Sequence, residues 1–176
     1  SPVFTPAEVI DSWDETALLR GVALRLVAAP PLPRQPGQVL KLRAAGAEGF
    51  FALANLPGAD GRVELLIKRG TPLSDALIAT AERGARLEAT LPFGDGFAID
   101  KARDLDVLLF AAGSGIAPTR ALIQHFAAAR SQFRRITLFY GQREQSEFAY
   151  SAEHLEWERA GVRVVLCSTS PTFREG

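Results

Sequence analysis

Six consecutive apolar residues, Val107-Leu-Leu-Phe-Ala-Ala112, run directly into Gly113-Ser-Gly-Ile-Ala-Pro118, and few folds accommodate that succession. The apolar run lacks the alternation of a half-exposed strand and fits a parallel strand covered on both faces. Gly113 and Gly115 remove side chains where a ligand approaches the backbone. Pro118 has no N–H and a fixed φ, which suits the N1 position of a following helix. The other first-turn amides and the helix dipole favour an anion such as a pyrophosphate. A tight turn without a ligand is the alternative for a bare G-x-G. The buried strand before it and the amphipathic helix after it favour the ligand.

The chain reads differently on the two sides of residue 100. Before it come short β-type runs: Val3-Phe4, Ala17–Leu19, Val22–Val27, Val39–Arg43, Gly49–Ala54, Val63–Lys68 and Arg86–Leu91. Pro30-Pro-Leu-Pro33, Pro36-Gly37, Pro57-Gly58 and Gly94-Asp-Gly96 punctuate them as turns. One helix, Leu73–Ala81, interrupts the series. Such spacing predicts a small antiparallel barrel or sandwich. After Val107–Ala112 the rhythm becomes strand and helix by turns. Ala121–Ala129 is helical, with Leu122, Ile123 and Phe126 on one face, and Ile136–Tyr140 is a strand. Glu147–Ala160 is helical with Phe148, Ala152 and Leu155 on one stripe, and Gly161 closes it; Val162–Cys167 is the third strand. This predicts a βαβαβ unit, half of a doubly wound parallel sheet. The expected division is a barrel over 1–101 and an α/β unit over 102–176.

Charge and residue usage exclude several chemistries. Formal net charge is zero, with 20 basic and 20 acidic residues and no basic tract, so neither nucleic acid nor an anionic membrane surface is expected as a partner. The single cysteine, Cys167, rules out an intrachain disulfide and is read as a core residue; with His125 and His154 the only imidazoles, and both read as surface residues, a zinc site is not expected. No apolar run is long enough to span a bilayer. The expected setting is reducing and cytoplasmic. No Ser-His-Asp set or carboxylate pair supports hydrolysis. Methionine is absent, which makes Ser1 a processed terminus or an internal boundary.

The turn at Gly113 is not the G-x-G-x-x-G dehydrogenase fingerprint, since Pro118 stands where the third glycine would be. It resembles the G-T/S-G-I-A-P turn of the ferredoxin–NADP⁺ reductase family, and other segments resemble that family in the right order. Pro36-Gly-Gln-Val39 is similar to its "PGQ" barrel strand. Gly49-Phe-Phe-Ala-Leu-Ala-Asn-Leu-Pro57 stands where the family has a flavin-contacting R-x-Y-S strand, in the style of the reductase-like proteins with a FAIASPP-type sequence. Lys68-Arg-Gly-Thr-Pro-Leu-Ser74 resembles its flavin-pyrophosphate loop, Leu91-Pro-Phe-Gly-Asp-Gly-Phe97 its "GP-x-G-x-F" segment, and Tyr140-Gly-Gln-Arg143 its "YGxR".

The resemblance implies a small antiparallel flavin-binding barrel followed by a partial doubly wound sheet, a nucleotide-binding domain that stops after its third strand. It implies a flavin, FAD in preference to FMN, along Phe51, Ala52, Leu53, Ala54 and Asn55, with its phosphates at Lys68, Gly70, Thr71 and Ser74. NAD or NADP is implied at Gly113, Ser114, Gly115, Ile116 and Pro118, with Gly141, Arg143 and Thr169 along the same sheet edge. Hydride would pass from NAD(P)H to the flavin and electrons on to an unknown acceptor. The sequence departs from R-x-Y-S: Gly49, Phe51 and Ala52 keep a stacking ring and lose the cation and hydroxyl. A flavin-free binding module of the same fold is the second reading. Arg143 faces the adenosine end or solvent, Glu144 is a candidate for a ribose hydroxyl, and Thr169 and Ser170 line the crevice or cap a turn. A three-strand parallel unit would leave Val107–Ala112 as an apolar edge, so the chain is expected to continue past Gly176, or a partner subunit to cover that edge.

Overall fold

The computed structural model describes residues 2–27 and 29–169. Ser170, expected near the crevice, lies outside the described residues. Residues up to Thr90 form six antiparallel strands and one helix: β1 Phe4–Asp14, β2 Leu19–Leu26, β3 Val39–Ala44, β4 Ala47–Ala52, β5 Arg62–Lys68, α1 Pro72–Thr80 and β6 Arg86–Thr90. The sheet order is β4-β3-β6-β1-β2-β5, and a 2.8 Å hydrogen bond from the Ala54 amide to the Glu64 carbonyl brings its two ends together into a nearly closed barrel. Ala7, Val9, Val22, Leu24, Leu40, Leu42, Val63, Leu65 and Ile67 fill the interior, with Leu77 of α1 plugging one opening.

β1 is much longer than Val3-Phe4. It carries Pro6 and three acidic residues, which masked the inward pair Ala7 and Val9. Ala17 and Leu18 are the loop between β1 and β2, not a strand. Gly21 faces Trp13 across that hairpin; a Cβ there would stand 2.3 Å from the indole, so only glycine lets the ring lie flat on β2.

Beyond the connector, β7 Val107–Ala112, α2 Ile116–Ala128, β8 Ile136–Gln142, α3 His154–Arg159 and β9 Val162–Ser168 form a parallel sheet in the order β7-β8-β9. α2 begins earlier than expected and places Pro118 third in the helix rather than first. That position is equally tolerant, because none of the first four amides has a partner within the helix. Gln145–Glu147 and Ser151–Glu153 are single 3₁₀ turns, so the expected long helix shrinks to α3; Ala152 and Leu155 are exposed and Trp157 supplies the buried contact.

Among the described residues the sheet is covered on one face only, contrary to expectation. Val107, Leu109 and Ala111 pack beneath the helices. Leu108 and Phe110, 61% and 73% exposed, point the other way, where Phe110 stacks on Phe139 with centroids 5.2 Å apart. Cys167 lies on this bare side and is exposed rather than core. Among the described residues no helix is long and apolar enough to cross a membrane.

Candidate functional site

Parallel α/β units bind ligands beyond the carboxyl ends of their strands. There β7 runs into the Gly113–Gly115 turn and β8 ends in Gln142, followed by Arg143, and together with the barrel they enclose a cleft of about 290 Å³. Thr16, Leu18, Leu19 and Lys68 line the barrel wall; Gly113, Gln142, Arg143 and Glu147 line the other. Gly113 and Arg143 were expected on one nucleotide site and Lys68 at the flavin phosphates; all three line this one cleft. The hairpin residues Thr16 and Leu18 were not expected there, because nothing local marks a loop as facing a distant sheet edge.

The turn suits a close ligand. Gly113 has φ +55°, and a Cβ at Gly113 or at Gly115 would meet nothing within 4 Å. Ser114 and Gly115 are exposed, whereas Ile116 is fully buried and anchors α2 to the core. Thr119 Oγ1 donates to the Gly115 carbonyl at 3.0 Å, which fixes the turn from behind. Pro118 is half-buried on the first helical turn. Gly141 sits within the sheet between the Ala111 and Cys167 carbonyls, and Thr169 is exposed just past β9.

Arg143 is held by its backbone and presents its side chain. Its amide donates to Glu147 Oε2 at 3.1 Å, and its carbonyl accepts from Ser168 Oγ. Its exposed guanidinium and the Lys68 ammonium have no ion-pair partner among the described residues, so both cations bear on the cleft. Glu144 is exposed beside them, its own amide also donating to Glu147. A cleft with two cations outside any ion pair among the described residues, one carboxylate (Glu147) and an open glycine turn can accept a phosphate-bearing ligand.

The expected flavin strand divides into two parts. Phe51 and Ala52 are half-buried on β4, but Leu53, Ala54 and Asn55 are buried. Asn55 spends its amide on the barrel, donating to the Arg62 carbonyl at 3.0 Å and accepting from the Glu64 amide at 2.8 Å. Phe51 leans over Gly49: a Cβ there would lie 3.2 Å from the ring and 3.5 Å from Leu73 of α1. At the start of α1 the expected phosphate donors already have acceptors. Thr71 and Ser74 form a reciprocal capping box, with Ser74 N on Thr71 Oγ1 at 3.1 Å and Thr71 N on Ser74 Oγ at 3.2 Å. The Gly70 amide donates to Asp75 Oδ1 at 3.1 Å. Only Lys68 of that set stands free, so this loop has less to offer a phosphate than its sequence suggests.

Tyr140 and His154 support the cleft from below. The Tyr140 hydroxyl accepts from the Ala149 amide at 3.0 Å, and burial holds its pKa above the usual tyrosine range. His154 is not the surface residue expected: Nε2 contacts the Ala149 carbonyl at 3.0 Å, and burial lowers its pKa. His125 is half-buried on α2, away from the cleft. No group of three or more potential metal ligands occurs among the described residues. An open apolar groove of about 530 Å³, lined by Pro2, Val3, Pro30, Leu91 and Phe93, lies where β1 begins, at the opposite end of that strand from the cleft. It offers no cation.

Residues 109–173 match the oxidoreductase NAD-binding domain. The reductase component of phenol 2-monooxygenase from Pseudomonas sp. (strain CF600) is 31% identical over 147 residues, which cover 81% of this chain and 40% of that protein. The ferredoxin reductase of carbazole 1,9a-dioxygenase superposes with a TM-score of 0.82 at 25% identity, covering 99% of this chain and 53% of that one. A ferredoxin–NADP⁺ reductase from Neisseria gonorrhoeae, solved with FAD and NADP, gives 0.81 at 18% identity over 98% of this chain and 71% of its own, a likeness of fold alone. The chain spans less than half the length of the curated relatives it matches.

Proposed function

This chain belongs to the ferredoxin reductase-like superfamily of FAD/NAD-binding oxidoreductases, and from that premise we propose that it is the flavin- and nucleotide-binding part of an NAD(P)H-dependent reductase. NAD or NADP would occupy the cleft and FAD the outer face of the barrel, and a separate electron-accepting protein would take the electrons. Residues 1–101 would form the flavin domain and 102–176 the start of the nucleotide domain. When bound, the two cofactors supply hydride transfer and its division into single electrons. The protein's part is to bind and orient them. Gly113, Ser114 and Gly115, with the α2 amino end at Pro118, would receive the nucleotide phosphates. Arg143 would add charge from β8, and Gly141 and Thr169 would line the same edge. Phe51 and Ala52 would present a stacking surface to the flavin ring, with Lys68 near its phosphates. The lone, exposed Cys167 supports a reducing, cytoplasmic setting.

The observation that carries this reading is the cleft itself, in which an open glycine turn and two cations from different units converge. The test is the visible spectrum of the purified chain with added FAD, before and after NADH. Flavin absorbance that bleaches under anaerobic NADH supports the reading; a chain that retains no flavin refutes it. That second outcome would favour a flavin-free module, to which Gly49, Ala52 and the self-satisfied start of α1 lend a specific motive.

A further inference from the structure

We propose that Arg120 is a positioning residue that fixes the orientation of the parallel sheet on the barrel, and so the spacing between the flavin strand and the nucleotide turn. The second half of that statement rests on the cofactor placement proposed above. Arg120 follows Pro118 by two residues on α2, and its side chain is 13% exposed. Nη1 donates to Glu64 Oε2 in β5 at 2.8 Å and to the Ala54 carbonyl at 3.1 Å, both in the barrel. Nε donates to both oxygens of Glu153 in the α/β unit, at 3.0 and 3.1 Å. The guanidinium carbon lies 4.8 Å from the centroid of the Tyr150 ring. A single side chain thus ties the helix that follows the glycine turn to the backbone at the end of the flavin strand.

Neighbouring contacts grip the same seam. One turn further along α2, Gln124 Oε1 accepts from the Leu56 amide at 2.8 Å. From the β1–β2 hairpin, Glu15 accepts from the Tyr150 amide at 2.6 Å and from Trp13 Nε1 at 2.8 Å. Tyr150 has φ +57°, a left-handed conformation that a bulky residue keeps only where its surroundings impose it. Leu19, Ala54 and Leu66 of the barrel complete the seam by packing into the core of the α/β unit. A planar guanidinium with donors in fixed directions dictates an angle as well as a contact, which an ammonium cannot do. The glycine turn and Phe51 sit on opposite sides of the joint. A small rotation would therefore separate the reacting rings while leaving each binding surface intact, and hydride transfer needs the reacting atoms about 3–3.5 Å apart.

Nitroxide labels at Arg83→Cys on the barrel and Arg134→Cys on the α/β unit, in a Cys167→Ser background, report the joint by pulsed electron spin resonance. The parent should give one narrow distance, and Arg120→Lys, which retains the buried charge, should broaden it at least about twofold. Should Arg120→Lys fail to fold, Glu64→Gln removes the opposing charge at constant shape and should broaden the distribution in the same way. With flavin bound, Arg120→Lys should slow flavin bleaching at saturating NADH at least about tenfold, with both dissociation constants unchanged within about twofold. An unchanged distance distribution, or a loss confined to binding, overturns the proposal. The labels are read without cofactors, so a chain that binds no flavin defeats the functional reading and leaves the joint tested.

Discussion

Gly115 separates ligand approach from backbone strain. Its φ is −62°, helical and open to any residue, and a Cβ would meet nothing within 4 Å, whereas Gly113 at +55° penalises any side chain by its conformation alone. Gly115→Val should therefore fold normally and put two methyl groups into the space above the turn. We expect NAD(P)H affinity to fall at least about tenfold, or about 1.4 kcal/mol, by titration calorimetry with the unfolding midpoint nearly unchanged; undiminished binding would move the nucleotide elsewhere. Gly49 poses the converse case. A Cβ there presses on Phe51 at 3.2 Å, a contact with one ring that can yield. Gly49→Arg with Ala52→Ser would restore a charge-assisted phosphate contact worth about 1.5–3 kcal/mol, so FAD should bind one to two decades more tightly. Equal affinity in the variant and the parent would show that the flavin phosphates lie away from residue 49. That the glycine turn and Arg143 would face one cleft was legible because short motifs carry their own geometry; that Lys68 would reach the same cleft from the barrel was not. That Asn55, Thr71 and Ser74 would satisfy one another and the barrel was not, since a polar residue in a motif looks the same whether its partner is a ligand or its own backbone.

Elements show where sequence patterns lose information. β5 and β8 were legible because buried strands are written as apolar runs; β1 was not, because Pro6 and its acidic residues break the alternation while neighbouring strands on both sides hold it in place. The segment after β8 was expected as one helix from its apolar spacing, but tertiary contacts win there: the Tyr150 amide is held by Glu15 of the β1–β2 hairpin, and Glu153 in the second turn is held by Arg120 of α2. Glu153, in the second of these turns, gives this contact a pH signature. Burial raises its pKa above the ordinary value of 4.5, Arg120 pulls the other way, and Glu64 and Glu15 push it up further. A carboxyl raised on folding contributes stability that is complete below its unfolded value and is lost as pH rises through its folded value. Glu153→Gln keeps an oxygen for Arg120 Nε and removes that titration. The parent's unfolding midpoint relative to the variant should therefore fall as pH rises from the ordinary value of 4.5 through the raised folded value of the carboxyl. A difference constant over that range would mean that burial of the ionised carboxylate has no cost.

At the scale of the whole molecule, two sheets of opposite design meet along one seam, and they leave different surfaces behind. The barrel nearly closes on itself and brings its two edges together. The parallel sheet covers one face with α2 and α3 and leaves the other bare, with Leu108, Phe110 and Phe139 in a row beside the unpaired edge of β7 among the described residues. Parallel sheets are ordinarily sheltered on both faces, and an apolar edge strand is a template for association. The prediction drawn from sequence, that Val107–Ala112 would form such an edge, agrees with the strand order, although its double covering does not. Removing about 100 Å² of apolar surface from water is worth about 2.5 kcal/mol, so ring stacking between two bare faces favours self-association once the buried area outweighs the entropic cost of joining two chains. Phe110→Lys places a charge at the most exposed point of the strip without touching the covered face. By sedimentation velocity, the 176-residue chain should form concentration-dependent oligomers and Phe110→Lys should shift it toward monomer. Because among the described residues Phe110 stacks on Phe139 alone, the substitution should cost the fold little, within about 1 kcal/mol. A parent that stays monomeric at high concentration would show that this face tolerates water, and would remove the physical reason for anything else to cover it.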